Sequence, residues 1–338
     1  MTLRDTKVTL SHGGGGKAMR DLISEVFTCA FEPESKEDQA RLMHDALLQP
    51  GAQLAFTTDS YVVTPVEFPG GDIGKIAVCG TVNDLAVGGA KPLWLSAAFI
   101  IEEGTDIALL RRIVASMKAE ADKAGVKIVT GDTKVVGRGS ADQVFITTSG
   151  VGVIPADRNL RADNIQPGDV AIVNGVLGDH GATILAARGD MMLTSDLKSD
   201  CAALGHLMEA TCNAVPVRAC RDATRGGIAS ALNEMAEAAG CAIEIIEEAL
   251  PLRAEVKGTC EILGLDPLYL ANEGTLVLFV AEEHAEAALA AMQSVDTGKE
   301  ARIIGRAKAG NPLVTMRTAF GGSRIVDMLV GEQLPRIC

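Results

Sequence analysis

Four aspartates stand where a strand or turn is expected to end, or just inside a small-residue helix: Asp59 in "TTDS", Asp84 in "VNDLA", Asp132 in "GDTK" and Asp222 in "RDATRGG". Any one of them alone reads as a turn former or a helix cap. As a set from separate segments they offer hard oxygen ligands to magnesium, a cation that keeps several waters and bridges to substrate phosphates. The set predicts a metal-nucleotide cleft.

The stretch "SHGGGGKAMR" approaches a P-loop and misses it twice, because Ser11 stands where the first glycine belongs and Ala18 where the magnesium-binding hydroxyl belongs. The chemistry survives the failed motif. Gly13, Gly14, Gly15 and Gly16 leave backbone N–H groups free to meet an anion, and Lys17 adds charge. In "DATRGGIASALNEMAEAAG", Asp222 or Thr224 is placed to cap a helix whose apolar stripe is Ile228, Leu232 and Met235. Arg225, Gly226 and Gly227 at its start suit an anion. Glu273 in "ANEG" precedes the strand "TLVLFVA" and is a candidate base facing the same cleft. The five histidines show no zinc-ligand spacing, though His12 and His180, in Gly-rich loops, are candidates to touch phosphate.

The formal net charge of −13 repels a phosphate backbone, and aromatic residues at 3% leave little to stack on bases, so the composition argues against nucleic-acid binding. No apolar run approaches a membrane span and no secretory signal is evident, which points to a soluble, cytoplasmic protein. The eight cysteines include no CxxC pair, and most read as reduced, buried, small hydrophobes.

These residues must be positioned by a framework of roughly two domains for 338 residues, with the polar break "PADRNLRADNIQPGD" between them. Before the break, "QLAFTTD", "PLWLSAAFII", "VKIVTGD" and "QVFITTSGVGV" read as strands, and "DIGKIAVCGTVNDLAVGGA" as a helix of small residues. A second helix carries Leu110, Ile113, Val114, Met117 and Ala121 on one face. After it come the strand "DVAIVNG", the helix "GATILAARG", the amphipathic helix at Gly226, strands "CAIEIIE" and "GTLVLFVA", the helix "EEHAEAALAAMQ" and two closing strands. The fold class expected is α+β.

Taken together, "HGGGGK", "TTDSYVVTP", "GTVNDLAVGGAKP", "GDTKVV", "RDATRGGIA", "ANEG" and the closing "PRIC" resemble the HypE family of hydrogenase maturation proteins. That family sits in the superfamily of aminoimidazole ribonucleotide synthetase, selenophosphate synthetase and thiamine-monophosphate kinase. The likeness spans essentially the whole chain. It implies an N-terminal ATP- and magnesium-binding domain over 1–155 that pairs its sheet with a second copy in a homodimer. It further implies a C-terminal α/β sandwich domain over 165–330, and a flexible tail, 331–338, that carries Cys338.

The reaction implied is ATP-dependent dehydration of an S-carboxamide on Cys338 to a thiocyanate, the source of the cyanide ligands of nickel-iron hydrogenase. A HypF carbamoyltransferase would be the donor and a HypC–HypD iron scaffold the acceptor. The same resemblance implies ATP contacts from the Gly-rich loop, Asp59, Asn83, Gly131, Thr133, Asp222, Arg225 and Gly226, and magnesium ligands among Asp59, Asp84 and Asp132. Lys134 is implied for electrostatic stabilisation and Glu273 for proton removal. The chain departs from the family pattern at Ala223, where proline is frequent, and at Thr275, where lysine is expected.

Seven steps separate Gly331 from Cys338, an extended reach of about 23–25 Å. Pro335 stiffens that arm without allowing helix, and Arg336 offers a handle for the protein's negative charge. Two other readings stay open: a synthetase or kinase of the same superfamily acting on a free metabolite, and a non-catalytic nucleotide-dependent scaffold whose tail only docks.

Overall fold

The computed structural model describes residues 5–34, 39–189 and 196–328. Its N-terminal half is built on a four-stranded sheet. Gln53–Tyr61 (β1) pairs antiparallel with Val144–Ile154, which pairs antiparallel with Lys91–Glu102, which in turn lies parallel to Lys127–Val136. A ribbon of Glu67–Phe68 (β2) and Gly71–Asp72 (β3) precedes the first long helix, so the sheet strands are β1, β4 (Lys91–Glu102), β5 (Lys127–Val136) and β6 (Val144–Ile154), in the order β1-β6-β4-β5. The N-terminal arm runs through Lys17–Leu22 (α1), a π-helical stretch and Cys29–Phe31 (α2).

Ile73–Val87 (α3) and Ile107–Ala124 (α4) cover one face of this sheet. The Asp72 side chain accepts from Lys75 N at 2.9 Å and starts α3, and Gly88 ends it. This helix is apolar nearly all round because it is sandwiched. A Cβ at Gly74 would lie 2.6 Å from the Ile113 carbonyl of α4, and one at Gly80 would lie 2.4 Å from the Tyr61 hydroxyl of β1. α4 is amphipathic, and Leu110, Ile113, Val114, Met117 and Ala121 all turn inward as the 3.6-residue period predicts.

The C-terminal half is a seven-stranded sheet of Val170–Val173 (β7), Ala219–Asp222 (β8), Ala242–Ile246 (β9), Leu276–Val280 (β10), Arg302–Lys308 (β11), Leu313–Arg317 (β12) and Ser323–Ile325 (β13). The order is β13-β12-β9-β11-β7-β10-β8, antiparallel except between β12 and β9. β10 is buried at every residue because helices cover both faces. Val277 and Phe279 pack with Ile228, Leu232 and Met235 of Gly227–Ala239. Leu276, Leu278 and Val280 pack with Leu207 and Met208 of Gly205–Ala214 and with Ala288 and Met292 of Ala285–Gln293.

With Asp179–Arg188 and Ala254–Leu263, the helices after α4 are α5 (Asp179–Arg188), α6 (Gly205–Ala214), α7 (Gly227–Ala239), α8 (Ala254–Leu263) and α9 (Ala285–Gln293). The α+β class and the strands and helices expected on either side of the break are present. The structure adds α1, α2, β2, β3, α6, β8, α8 and β13 to them. Among the described residues no helix is long and apolar enough to cross a membrane, and Cys79, Cys201, Cys220, Cys241 and Cys260 are free and buried.

Candidate functional site

β1 and α3 build one wall of a carboxylate cluster. Alternation along β1 turns Thr57, Asp59 and Tyr61 to the α3 face. There the Thr57 hydroxyl donates to Asp84 Oδ2 at 2.8 Å. Burial and the Asp59 charge push the Asp84 carboxyl upward against that hydrogen bond. Tyr61 meets Thr81 Oγ1 at 3.2 Å, and its phenol is held well above the usual range by burial and by Asp59, with Glu273 and Asp84 adding to the effect.

The opposite wall comes from the C-terminal sheet. Asp222 ends β8 directly opposite Leu276 of β10, which brings it beside the Glu273–Gly274 turn. Burial, then the charges of Asp84 and Asp59, push the Asp222 carboxyl up to about 6. Between the walls lies an open cleft of about 570 Å³ whose lining includes Asp84, Gly88, Leu160, Arg161, Cys220 and Asp222. Asp84 and Asp222 line this cleft, Asp59 stands close enough for its charge to act on both, and Glu273 is buried in the turn before β10. Beyond burial, Asp84 and Asp59 together push Asp222 upward, a repulsion that a bound cation would relieve.

Among the described residues no three His, Cys, Asp or Glu side chains form a ready cage for a metal ion.

The second expected cluster lies elsewhere. Asp132 and Lys134 form a 2.6 Å ion pair on β5, and the lysine holds the Asp132 carboxyl below its usual range. The register row Ser60, Thr147, Ala98, Asp132 crosses the sheet on the face away from α3, whereas Asp59, Thr148 and Ala97 occupy the α3 face. β1 and β5 are the two edges, three strand spacings or about 14 Å apart. Within one chain Asp132 thus does not join Asp59 and Asp84. Gly13 packs on Val135, where a Cβ would lie 2.9 Å from the valine Cβ, so the Gly-rich loop runs beside β5 with Lys17 opening α1. Gly14, Gly15 and Gly16 meet no close neighbour that a side chain would strike under 3.4 Å. Thr133 is buried, and a Cβ at Gly131 would lie 2.1 Å from the Ala97 carbonyl, so both shape the sheet.

Several side chains differ from the sequence expectation. Neither Asp222 nor Thr224 caps α7, since the cap is Gly226 at φ 75° with no side-chain hydrogen bond and Arg225 is exposed beside it. His12 is fully buried with Nδ1 on Thr9, and His180 is fully buried with Nδ1 2.8 Å from Ser199 Oγ, so both serve the fold rather than an open phosphate site. Asn83 spends its amide on main chain: Nδ2 donates to Ala202 O at 3.0 Å and Glu273 O at 3.4 Å, and Oδ1 accepts from Leu204 N at 2.7 Å. It ties α3 to the C-terminal half. Sequence reasoning missed Leu160 and Arg161, which sit in the polar break and line the cleft; the break lies far from "RDATRGG" in sequence and is brought beside it only by the fold, where Arg161 N donates to Arg218 O at 3.0 Å. Cys338 lies outside the described residues.

Residues 37–154 match the N-terminal domain of AIR synthase related proteins, and residues 166–316 match the C-terminal domain of the same proteins. The chain is 74% identical over 340 residues to the carbamoyl dehydratase HypE of Rhodobacter capsulatus, covering 100% of both. A crystal structure of hydrogenase maturation protein HypE in complex with ATP is 46% identical, with a TM-score of 0.92 over 97% of this chain and 99% of that one. A HypE–HypF complex structure is 47% identical, with a TM-score of 0.79 over 91% and 99%. The chain belongs to the carbamoyl dehydratase HypE family, within the AIR synthase related superfamily.

Proposed function

We propose that this hydrogenase maturation dehydratase works on its own tail, converting the S-carboxamide of Cys338 to a thiocyanate at the expense of ATP. The observation that carries the reading is the meeting of Asp84 and Asp222, from the two halves of the chain, at one cleft with the Asp59 charge beside them, in a chain whose full length aligns with carbamoyl dehydratases. A carboxamide oxygen is a poor leaving group. Once it accepts the γ-phosphoryl group it departs as phosphate, the nitrogen gives up both protons, and the carbon–nitrogen triple bond forms. Each turnover yields thiocyanate, ADP and phosphate. Glu273, buried at the C-terminal wall, is our candidate for accepting a nitrogen proton.

Asp84 and Asp59 would hold magnesium, which supplies charge neutralisation at the transferred phosphoryl. Lys134, with Asp132 and the Gly-rich loop, occupies the far sheet edge, and Leu54 and Phe56 stand 65% and 68% exposed on the uncovered sheet face. A homodimer formed through that face accounts for both facts, because it covers the apolar residues and lets a second copy contribute Lys134. A HypF-type carbamoyltransferase as donor fits the HypE–HypF complex known for a relative, and a HypC–HypD scaffold in the cytoplasm is the corresponding acceptor.

The test uses the full chain, carbamoylated and then given magnesium and ATP. The peptide that contains Cys338 should lose the mass of one water while ADP and phosphate appear. Cys338→Ala should abolish that loss and still bind magnesium-ATP. An unchanged peptide at every ATP concentration refutes the reading, and ADP formation on an added metabolite by Cys338→Ala points to the free-substrate kinase instead.

A further inference from the structure

The turn that presents Glu273 is held by a side chain to which nothing so far assigns a role. Asp200 stands on the segment leading into α6, and three donors converge on its carboxylate. Glu273 N donates to Oδ1 at 3.0 Å, Gly274 N donates to Oδ2 at 3.0 Å, and the Thr275 hydroxyl donates to Oδ2 at 3.0 Å. A carboxyl group can accept at both oxygens, whereas an amide would turn an N–H₂ toward one of these donors. The two backbones are pressed together as well, because a Cβ at Gly274 would lie 1.9 Å from the Asp200 carbonyl. The residue after Glu273 is therefore glycine by necessity. Burial pushes the Asp200 carboxyl up, and these hydrogen bonds pull it back toward the charged form.

The same turn is anchored to the N-terminal half. Asn83 donates to Glu273 O and to Ala202 O and accepts from Leu204 N, so one amide grips the main chain on both sides of the contact. Asn83 is also the immediate neighbour of Asp84. The segment carrying Asp200 is itself fixed to the N-terminal half, with Ser199 N donating to Pro69 O at 2.9 Å.

We infer that Asp200 is the positioning residue for Glu273, and that with Asn83 it sets how far the Glu273 carboxylate stands from the Asp59–Asp84 wall. This inference rests on the reading of Glu273 as the group that takes the nitrogen proton. A displacement of about 1 Å at such a group costs up to about 100-fold in rate while leaving nucleotide affinity nearly untouched.

The experiment is a double-variant cycle in the carbamoylated full chain with magnesium and ATP, reading kcat for dehydration and KM for ATP. Asp200→Asn should lower kcat about 10- to 100-fold with KM changed less than about twofold. Glu273→Gln should lower kcat at least as far, and the double variant should be no slower than Glu273→Gln alone, because Asp200 acts only through Glu273. Thr275→Val removes one of the three donors and keeps the test open should Asp200→Asn fail to fold. It should lower kcat about 3- to 10-fold, again without adding to Glu273→Gln, and Thr275→Ser should restore the rate. Wild-type kcat in Asp200→Asn or Thr275→Val overturns the inference, as do losses that multiply with Glu273→Gln, which would mark a general structural role. If Glu273→Gln itself turns over at the wild-type rate, it is the assignment of the base that has failed, and the inference falls with it.

Discussion

The Thr57 hydroxyl donates to Asp84 Oδ2 at 2.8 Å across 27 residues of sequence and joins the edge strand β1 to the last turn of α3. The bond matters because Asp84 is otherwise pushed toward its neutral form by burial and by Asp59. A ligand for magnesium must be ionised, so under the proposed assignment Thr57 would support the metal without touching it.

Thr57→Val should weaken magnesium-ATP binding about tenfold, in line with a hydrogen bond to a charged group, while Thr57→Ser should bind as the parent does. The sign with pH follows from the lost bond. Asp84 is raised further in Thr57→Val, so the deficit is largest at low pH and narrows as pH rises and the carboxyl ionises in both proteins. Isothermal titration calorimetry across pH reads both, and a deficit that grows with pH contradicts the assignment.

Asp222, pushed up to about 6, gives a second pH dependence. Its folded value lies above the unfolded value of about 4, so the fold favours the protonated acid. That contribution is full below about pH 4 and is lost as pH rises through 6. Asp222→Asn, neutral throughout, should therefore raise Tm relative to the wild type by roughly 2–6 °C at pH 7–8, and the gain should shrink toward pH 4. Magnesium-nucleotide binding near pH 6 should release protons from the wild type and fewer from the variant, as titrations in buffers of different ionisation enthalpy will show.

How far the sequence reveals this site depends on whether a residue's role is local. Asp59, Asp84 and Asp222 are recognisable because each sits at an element end or in a small-residue helix, and the stripe Ile228, Leu232, Met235 announces α7. The separation of Asp132 from them is not recognisable, because it follows from the strand order and from the parity of Asp59 and Asp132 across the sheet. Both are set by long-range pairing. α6 begins with Gly205 and α8 carries Gly258 mid-helix, which blurs their periodicity. Asp200 reads as an ordinary loop aspartate in "LKSD", since its partners lie 73 to 75 residues away. Asn83 is expected at the nucleotide only through the resemblance, and its amide is spent instead on the main chain of Ala202, Leu204 and Glu273.

Two glycines expected at the nucleotide should respond differently to alanine. At Gly131 the added Cβ would meet the Ala97 carbonyl at 2.1 Å, and backbone of a paired strand cannot step aside. Gly131→Ala should cost about 1–3 kcal/mol and lower Tm by several degrees, whatever its effect on ATP. Gly15 has open space around it but a φ of 76°. Gly15→Ala should cost about 1 kcal/mol through the left-handed backbone alone. Thermal unfolding of the two variants separates packing from conformation, and equal losses would contradict the sheet contact.

The uncovered sheet face leads to the last prediction. Phe56 and Leu54 project from it on β1, Ile100 stands 41% exposed on β4, and Lys134 rises from β5 on the same face. If a second copy covers this face, light scattering should give the wild-type chain twice its 35.2 kDa mass, and Phe56→Glu should shift it to the mass of one chain. On the proposed arrangement turnover should fall with the dimer, because Lys134 and Asp84 lie on opposite faces of their own sheet and the partner's lysine would reach Asp84 past the β1 edge. Complementation makes the point without disturbing the interface. Lys134→Ala and Asp84→Ala should each be inactive, and mixing them through unfolding and refolding should restore roughly a quarter of wild-type activity, since half the dimers are mixed and each mixed dimer holds one intact site of two. A mixture that stays inactive while the chains exchange would show that each copy completes its own site. Some rearrangement bringing Lys134 to Asp84 within one chain would then have to occur during turnover.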